Sequence, residues 1–123
     1  MSLPNFFILY VNDALVSTRF YTDLLGKPPL DASPSFAMFA LESGVTLAVW
    51  SRHTVEPAVT ETGSGVEVVF TASDDAKVDE LFSEWQRRDV QIPQSPVKSD
   101  FGYTFVALDP DKHRLRVYAP IAR

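Results

Sequence analysis

Met38-Phe39-Ala40-Leu41-Glu42-Ser43-Gly44-Val45-Thr46-Leu47-Ala48-Val49-Trp50 reads as strand, acidic turn, strand. The same plan returns in Phe105-Val106-Ala107-Leu108-Asp109-Pro110-Asp111, followed by His113-Arg114-Leu115-Arg116-Val117-Tyr118. Each copy follows a segment of helical period. A module used twice predicts a pseudo-symmetric sheet architecture with a shared interior. The residues lining that interior then carry the function.

Working outward, residues 5–11 are apolar and aromatic, as a buried strand requires. Asn12 or Asp13 can cap the following helix through a side-chain oxygen. Val16, Phe20 and Leu24 mark a helical face over residues 14–25, which Gly26 and Pro28-Pro29 bring to an end. Strands are predicted at 35–41 and 45–51. Residues 52–64 read as a linker, with Pro57 and then Thr60-Glu61-Thr62-Gly63-Ser64. A strand at 66–71 follows, then a helix capped by Ser73 with Val78, Leu81, Phe82 and Trp85 on one face. A short strand at 90–92 is expected to stop at Pro93 and Pro96, and strands at 101–108 and 114–118 close the chain. The order is βαβββ, twice: module one at 5–51, the linker, and module two at 65–119. This predicts one α+β domain over residues 1–123, a curled mixed sheet with helices on its outer face.

Composition narrows the chemistry. The chain has 123 residues, a formal net charge of −5 and no basic block, which argues against nucleic-acid binding. It has no cysteine, so thiolate metal sites and a cysteine nucleophile are excluded, and a reducing cytoplasmic setting is expected. No apolar run approaches the roughly 20 residues that span a bilayer. Residues 1–4 carry no signal-peptide pattern.

Strand parity assigns the faces. Phe6, Ile8 and Tyr10 share one side, as do Thr46, Ala48 and Trp50; Val66, Val68 and Phe70; and Arg114, Arg116 and Tyr118. Glu67 then points to solvent or lies under a helix edge; it becomes a metal-ligand candidate only if the strand slips by one residue, which would turn Val66, Val68 and Phe70 outward. His53 in the linker and His113 in the last turn are read as surface residues. The expected interior holds Phe6, Tyr10, Trp50, Phe70 and Tyr118 with Arg116 among them, and Tyr103 brings a hydroxyl to its mouth. Gly102 lets the backbone bend or approach a ligand. The segments 31–35 and 52–64 are candidate lids. Aromatic walls with one cation suit a planar aromatic carboxylic acid, which stacks on the rings and pairs with the guanidinium. Plainer readings stand beside this one: Phe6 and Phe70 as core, Tyr118 as interface rim, Trp50 as dimer packing, Trp85 as core.

Leu9-Tyr10-Val11-Asn12-Asp13 leading into Ser17-Thr18-Arg19-Phe20-Tyr21 and Leu24-Leu25-Gly26, with the closing Ala107-Leu108-Asp109-Pro110-Asp111-Lys112-His113, resembles the vicinal oxygen chelate superfamily. That superfamily includes glyoxalase I, bleomycin-resistance proteins and extradiol dioxygenases. The resemblance implies two βαβββ modules and a homodimer, often with modules swapped between subunits, whose sites lie between modules. It also implies that a member acting as an enzyme holds a divalent metal with one His or Glu from each of four strands. Carried onto this chain, those positions are Phe6, Ala48, Val66 and Arg116. None is a metal ligand, and Arg116 is a permanent cation. One departure is Lys112, where the family usually has glycine at a positive-φ position.

A narrower resemblance, to the non-catalytic drug-binding branch that includes phenazine resistance, rests on Ala48-Val49-Trp50-Ser51, Asp79-Glu80-Leu81-Phe82-Ser83-Glu84-Trp85, Ser99-Asp100-Phe101-Gly102 and Arg116. It implies a binder that sequesters a small aromatic antibiotic, with Trp50, Arg116, Tyr103, Phe6, Tyr10, Phe70, Tyr118 and Ala48 as contacts and no cofactor. The alternative is a metal-dependent glyoxalase- or dioxygenase-type enzyme of the same fold.

Overall fold

A helix that must cover an apolar strand face needs clean ends, and Asp13 supplies the first. Its carboxylate accepts from the backbone N–H groups of Leu15 and Val16, and Gly26 in the left-handed region (φ 69°) stops the helix. The computed structural model describes residues 5–59 and 66–121; residues 1–4 and the 60–64 stretch of the expected linker lie outside them. The chain divides into two compact units, 1–62 and 63–123.

In the first unit, β1 (Phe6–Val11), α1 (Ala14–Leu25), β2 (Asp31–Ala32), β3 (Phe36–Ala40) and β4 (Thr46–Ser51) follow in order. The sheet order is β1-β4-β3-β2, with β1 and β4 parallel and the other pairs antiparallel. Leu9, Val11, Ala37, Phe39, Leu47 and Val49 are buried on the α1 side. The helix buries Ala14, Ser17 and Tyr21 rather than the expected Val16 stripe; Val16 is exposed. Small residues win here because they let the helix approach β4, where Ser51 Oγ accepts from the Ala14 N–H at 3.1 Å. The segment expected as a lid at 31–35 begins as the edge strand β2. Likewise, residues 52–54 form a 3₁₀ turn and Val55 is buried, so the expected linker starts as part of this unit.

The second unit repeats the plan with β5 (Glu67–Thr71), α2 (Asp75–Arg87), β6 (Gln91–Ser99), β7 (Gly102–Leu108) and β8 (Arg114–Pro120), in the sheet order β5-β8-β7-β6. Again the first and last strands of the module are parallel. The result is an α+β fold of two four-stranded mixed sheets, neither closed on itself. Asp74, not Ser73, caps α2, its carboxylate taking the Lys77 N–H at 2.8 Å. Phe70 and Phe105 pack edge-on against Trp85 at 5.3 and 5.4 Å between ring centres, so this helix face is core. The strand β6 runs straight through Pro93 and Pro96. It is the sheet's edge, with register shifts on both sides of Gln94, and an edge strand tolerates missing N–H donors. Among the described residues no helix is long and apolar enough to cross a membrane.

Ser43, Asp89 and Lys112 are non-glycine residues at positive φ, and Gly102 is held at a φ that only glycine adopts readily. Gly102 sits at φ 150°, and a Cβ there would lie 2.1 Å from the Ala119 carbonyl oxygen. Its close approach is thus to β8, not to a ligand. Gly102→Ala is expected to destabilise the protein by more than about 2 kcal/mol, read as a shift in denaturation midpoint; a change under half of that would contradict the β7–β8 packing. Lys112 holds φ 68°, the strain expected where a glycine is usual. Lys112→Gly should raise the melting temperature by about 2–4 °C, because removing the left-handed penalty outweighs the added freedom of the unfolded chain.

Candidate functional site

Each sheet has one face under its helix. The alternate residues of every strand must take the opposite, open face. In the first unit that face is apolar and aromatic. Register places Tyr10, Trp50 and Phe36 in one row, and Trp50 meets both neighbours edge-on, at 6.3 Å and 6.1 Å. Phe6 and Ile8 continue the face along β1 and stay more than two-fifths exposed, as does Tyr10. Ala48 lies between Ile8 and Met38 in register and is fully covered, a floor rather than a wall. The sequence reading missed Phe36 and Met38, although the alternation Phe36-Ala37-Met38-Phe39 contained both.

In the second unit the open face is mixed: Val69 and Val106 flank Arg116 in register, and Val69 is exposed. Arg116 stands at its centre and spends three N–H groups. Nε donates to Glu67 Oε1 at 2.8 Å, Nη2 to Glu67 Oε2 at 3.0 Å, and Nη1 to Thr104 Oγ1 at 3.2 Å. The Phe101 ring lies 5.4 Å from the guanidinium carbon and meets Tyr118 edge-on at 5.7 Å. The hydrogen bond from Arg116 holds the Glu67 carboxyl below its usual range, and the same bond raises the guanidinium. Both directions favour the charged pair.

Register also corrects the expected faces. Phe6 pairs with Thr46 and Ile8 with Ala48; Glu67 pairs with Arg114 and Val69 with Arg116. Ala48 and Arg116 are therefore equivalent, as are Trp50 and Tyr118, whereas the counterpart of Phe6 is Glu67 and not Val66. Val66 precedes β5, and Glu67 is exposed on the open face beside Arg116, not under a helix edge. Phe70 turns to α2 and contributes to core. Tyr103 also turns to α2, where its hydroxyl donates to Asp79 at 2.6 Å; that bond raises the phenol. Neither Phe70 nor Tyr103 belongs to the open face. A run such as Val66-Glu67-Val68-Val69-Phe70 has no clean alternation, so parity alone had no way to fix its phase.

The donor chemistry of these positions does not fit a divalent metal. Phe6 and Ala48 offer no ligand atom, Glu67 is already bound to a guanidinium, and Arg116 is a cation. Among the described residues no group of three or more His, Cys, Asp or Glu side chains is arranged to hold a metal ion.

His113 is more than a surface residue. Its side chain is 16% exposed, and its Nδ1 lies 2.7 Å from Asp109 Oδ2. The buried Asp109 carboxylate also accepts from the backbone N–H groups of Asp111 and His113, which ties the final turn.

A sequence profile described as "Glyoxalase/Bleomycin resistance protein/Dioxygenase superfamily" matches residues 4–117. The chain is 30% identical over 117 residues to the phenazine antibiotic resistance protein EhpR of Enterobacter agglomerans, covering 93% of this chain and 89% of that one. An Agrobacterium tumefaciens protein solved by NMR in solution is 51% identical with a TM-score of 0.89, over 99% of this chain and all of the other. A glyoxalase-related enzyme of Fulvimarina pelagi shares the fold at 20% identity and a TM-score of 0.83, over 99% of this chain and 94% of its own.

The Asp109 hydrogen bond raises the His113 pKa above the ordinary 6.5, against the opposing effect of burial. The stabilisation is therefore full below the unfolded value and is lost as pH rises through the folded one. An NMR titration of the His113 ring should give a midpoint above 6.5 that falls in Asp109→Asn; a wild-type midpoint at or below 6.5 would contradict the pairing.

Proposed function

The chain belongs to the glyoxalase/bleomycin resistance protein/dioxygenase superfamily, and we propose that within it this protein binds and sequesters a planar aromatic antibiotic without transforming it. The ligand class is a phenazine-like carboxylic acid, and the outcome is resistance. One observation carries this reading. The open face of the first unit presents Tyr10, Trp50 and Phe36 as a row of rings, on a sheet where Phe6 and Ala48 supply no metal donor. Rings held edge-on to one another leave faces on which a flat ligand can stack, each worth roughly 0.5–1.5 kcal/mol beyond the area buried. Further support comes from the likeness to a phenazine antibiotic resistance protein.

Sequestration needs affinity and enough protein, not a reaction centre. A homodimer, implied by the family resemblance, and a cytoplasmic setting, expected from the absence of cysteine, accompany this reading. The alternative, a metal-dependent lyase or dioxygenase, would need donors that these positions lack.

Phenazine-1-carboxylic acid added to EDTA-treated protein should quench tryptophan fluorescence and saturate. Trp85, buried in the core, supplies a background that does not respond. Trp50→Phe should abolish the quench, and Trp50→Ala should weaken binding by about tenfold. Saturation that appears only after a divalent metal is added would overturn the reading in favour of the enzyme.

A further inference from the structure

Beside the row of rings, the open face of the first unit carries an oxidisable side chain. Met38 alternates along β3 with Ala37 and Phe39, which are fully buried on the α1 side. Met38 therefore takes the opposite face, the one that bears Trp50. Register confirms the placement: Met38 pairs with Ala48, and Phe36, two residues earlier, pairs with Trp50. On its other side Met38 stands opposite Asp31 of the edge strand β2, and Asp31 is exposed. Met38 itself is half-buried, so solvent reaches it while it forms part of the face.

The chain has two methionines and no cysteine, and Met1 lies outside the described residues. A peroxide that reaches this face therefore meets a thioether and no thiol. The sulfur lone pair attacks one peroxide oxygen. An S–O bond forms, the O–O bond breaks, and the departing hydroxide takes up the remaining proton and leaves as water. Sulfur gives up two electrons and the peroxide is reduced by two. The product is a sulfoxide, polar where the thioether was apolar and polarisable. Its oxygen sits on a face otherwise made by Ile8, Tyr10, Phe36 and Trp50. A flat aromatic ligand that covers the face must strip water from that oxygen, a cost the thioether does not impose.

We propose that Met38 is an oxidation site on the binding face of the first unit, and that its conversion to the sulfoxide by a peroxide lowers the affinity of that face for its aromatic ligand. The proposal rests on the binding function above and adds a regulation to the same face. The change is reversible, because methionine sulfoxide reductases return the sulfoxide to the thioether.

The test treats the protein with hydrogen peroxide sufficient to oxidise free methionine, removes the peroxide with catalase, and locates the added oxygen by peptide mass. Titration with phenazine-1-carboxylic acid then compares treated and untreated protein. Oxidation at Met38 should weaken binding at least about threefold, and treatment with both sulfoxide reductases should restore it. Met38→Leu, which has no sulfur to oxidise, should bind equally before and after peroxide. The proposal is overturned if no sulfoxide forms at Met38, if affinity is unchanged once it has formed, or if Met38→Leu loses as much affinity on treatment as the wild type. Should Met38→Leu fail to fold, recovery with the reductases decides alone. Untreated protein that does not bind the acid sinks the binding function and this proposal together, whereas binding that is indifferent to the sulfoxide sinks the proposal only.

Discussion

One-sided burial of each sheet is the constraint on which the other features depend. Leu9, Val11, Phe39, Leu47 and Val49 lie on the α1 side of the first sheet; Phe105, Ala107, Leu115 and Val117 lie on the α2 side of the second. Since side chains alternate along a strand, fixing these inward fixes every neighbour outward, with no freedom left to slip by one. The open faces are thus released from packing against a helix and can vary while the fold stays. The two modules show that variation directly. At equivalent positions one carries Phe6, Ala48 and Trp50, and the other carries Glu67, Arg116 and Tyr118.

The ion pair on the second unit's open face is organised by geometry more than by energy. An ion pair with this degree of exposure contributes on the order of 1 kcal/mol, since solvent still reaches both partners. Its value lies in direction. Two parallel bonds to Glu67, a third to Thr104 and the Phe101 ring hold the guanidinium in a single plane. Thr104 is itself fixed, because its hydroxyl donates to the Val117 carbonyl at 2.8 Å. An arginine held this way has little side-chain freedom left to lose.

How far this was legible in the sequence depends on the signal each element carries. The repeat and the presence of both helices were readable, and parity grouped Phe6 with Ile8 and Tyr10, and Thr46 with Ala48 and Trp50, although β1 is apolar throughout and its phase came only from the family positions. Gly26 and Asp13 announced the ends of α1 through cap chemistry. The phase of β5 was hidden, since Val68, Val69 and Phe70 are all apolar and only the meeting of Phe70 with Trp85 and of Glu67 with Arg116 decides it. The length of β6 was hidden as well: prolines read as stops unless the strand is known to be an edge, and edge position is a property of the sheet. Tyr103 was misplaced for a related reason. The strand begins at Gly102, one residue later than expected, and the phenol turns to Asp79 on α2.

Equivalent positions also show how far each module stands from metal chemistry. In the first unit the two positions on neighbouring strands hold a phenyl ring and a methyl group, so both would need replacement before either could donate. In the second, Glu67 is a suitable donor by type, but its two oxygens are held by Nε and Nη2 of Arg116. Releasing it means removing the arginine, and that replaces a cation by nothing unless a ligand enters in its place. Three of the four positions must therefore change together, and a single substitution leaves either a lone donor or an unpaired charge beside Phe101. The intermediate steps create no metal site, because each leaves either a lone donor or an unpaired charge at the position where Glu67 and Arg116 now hold each other.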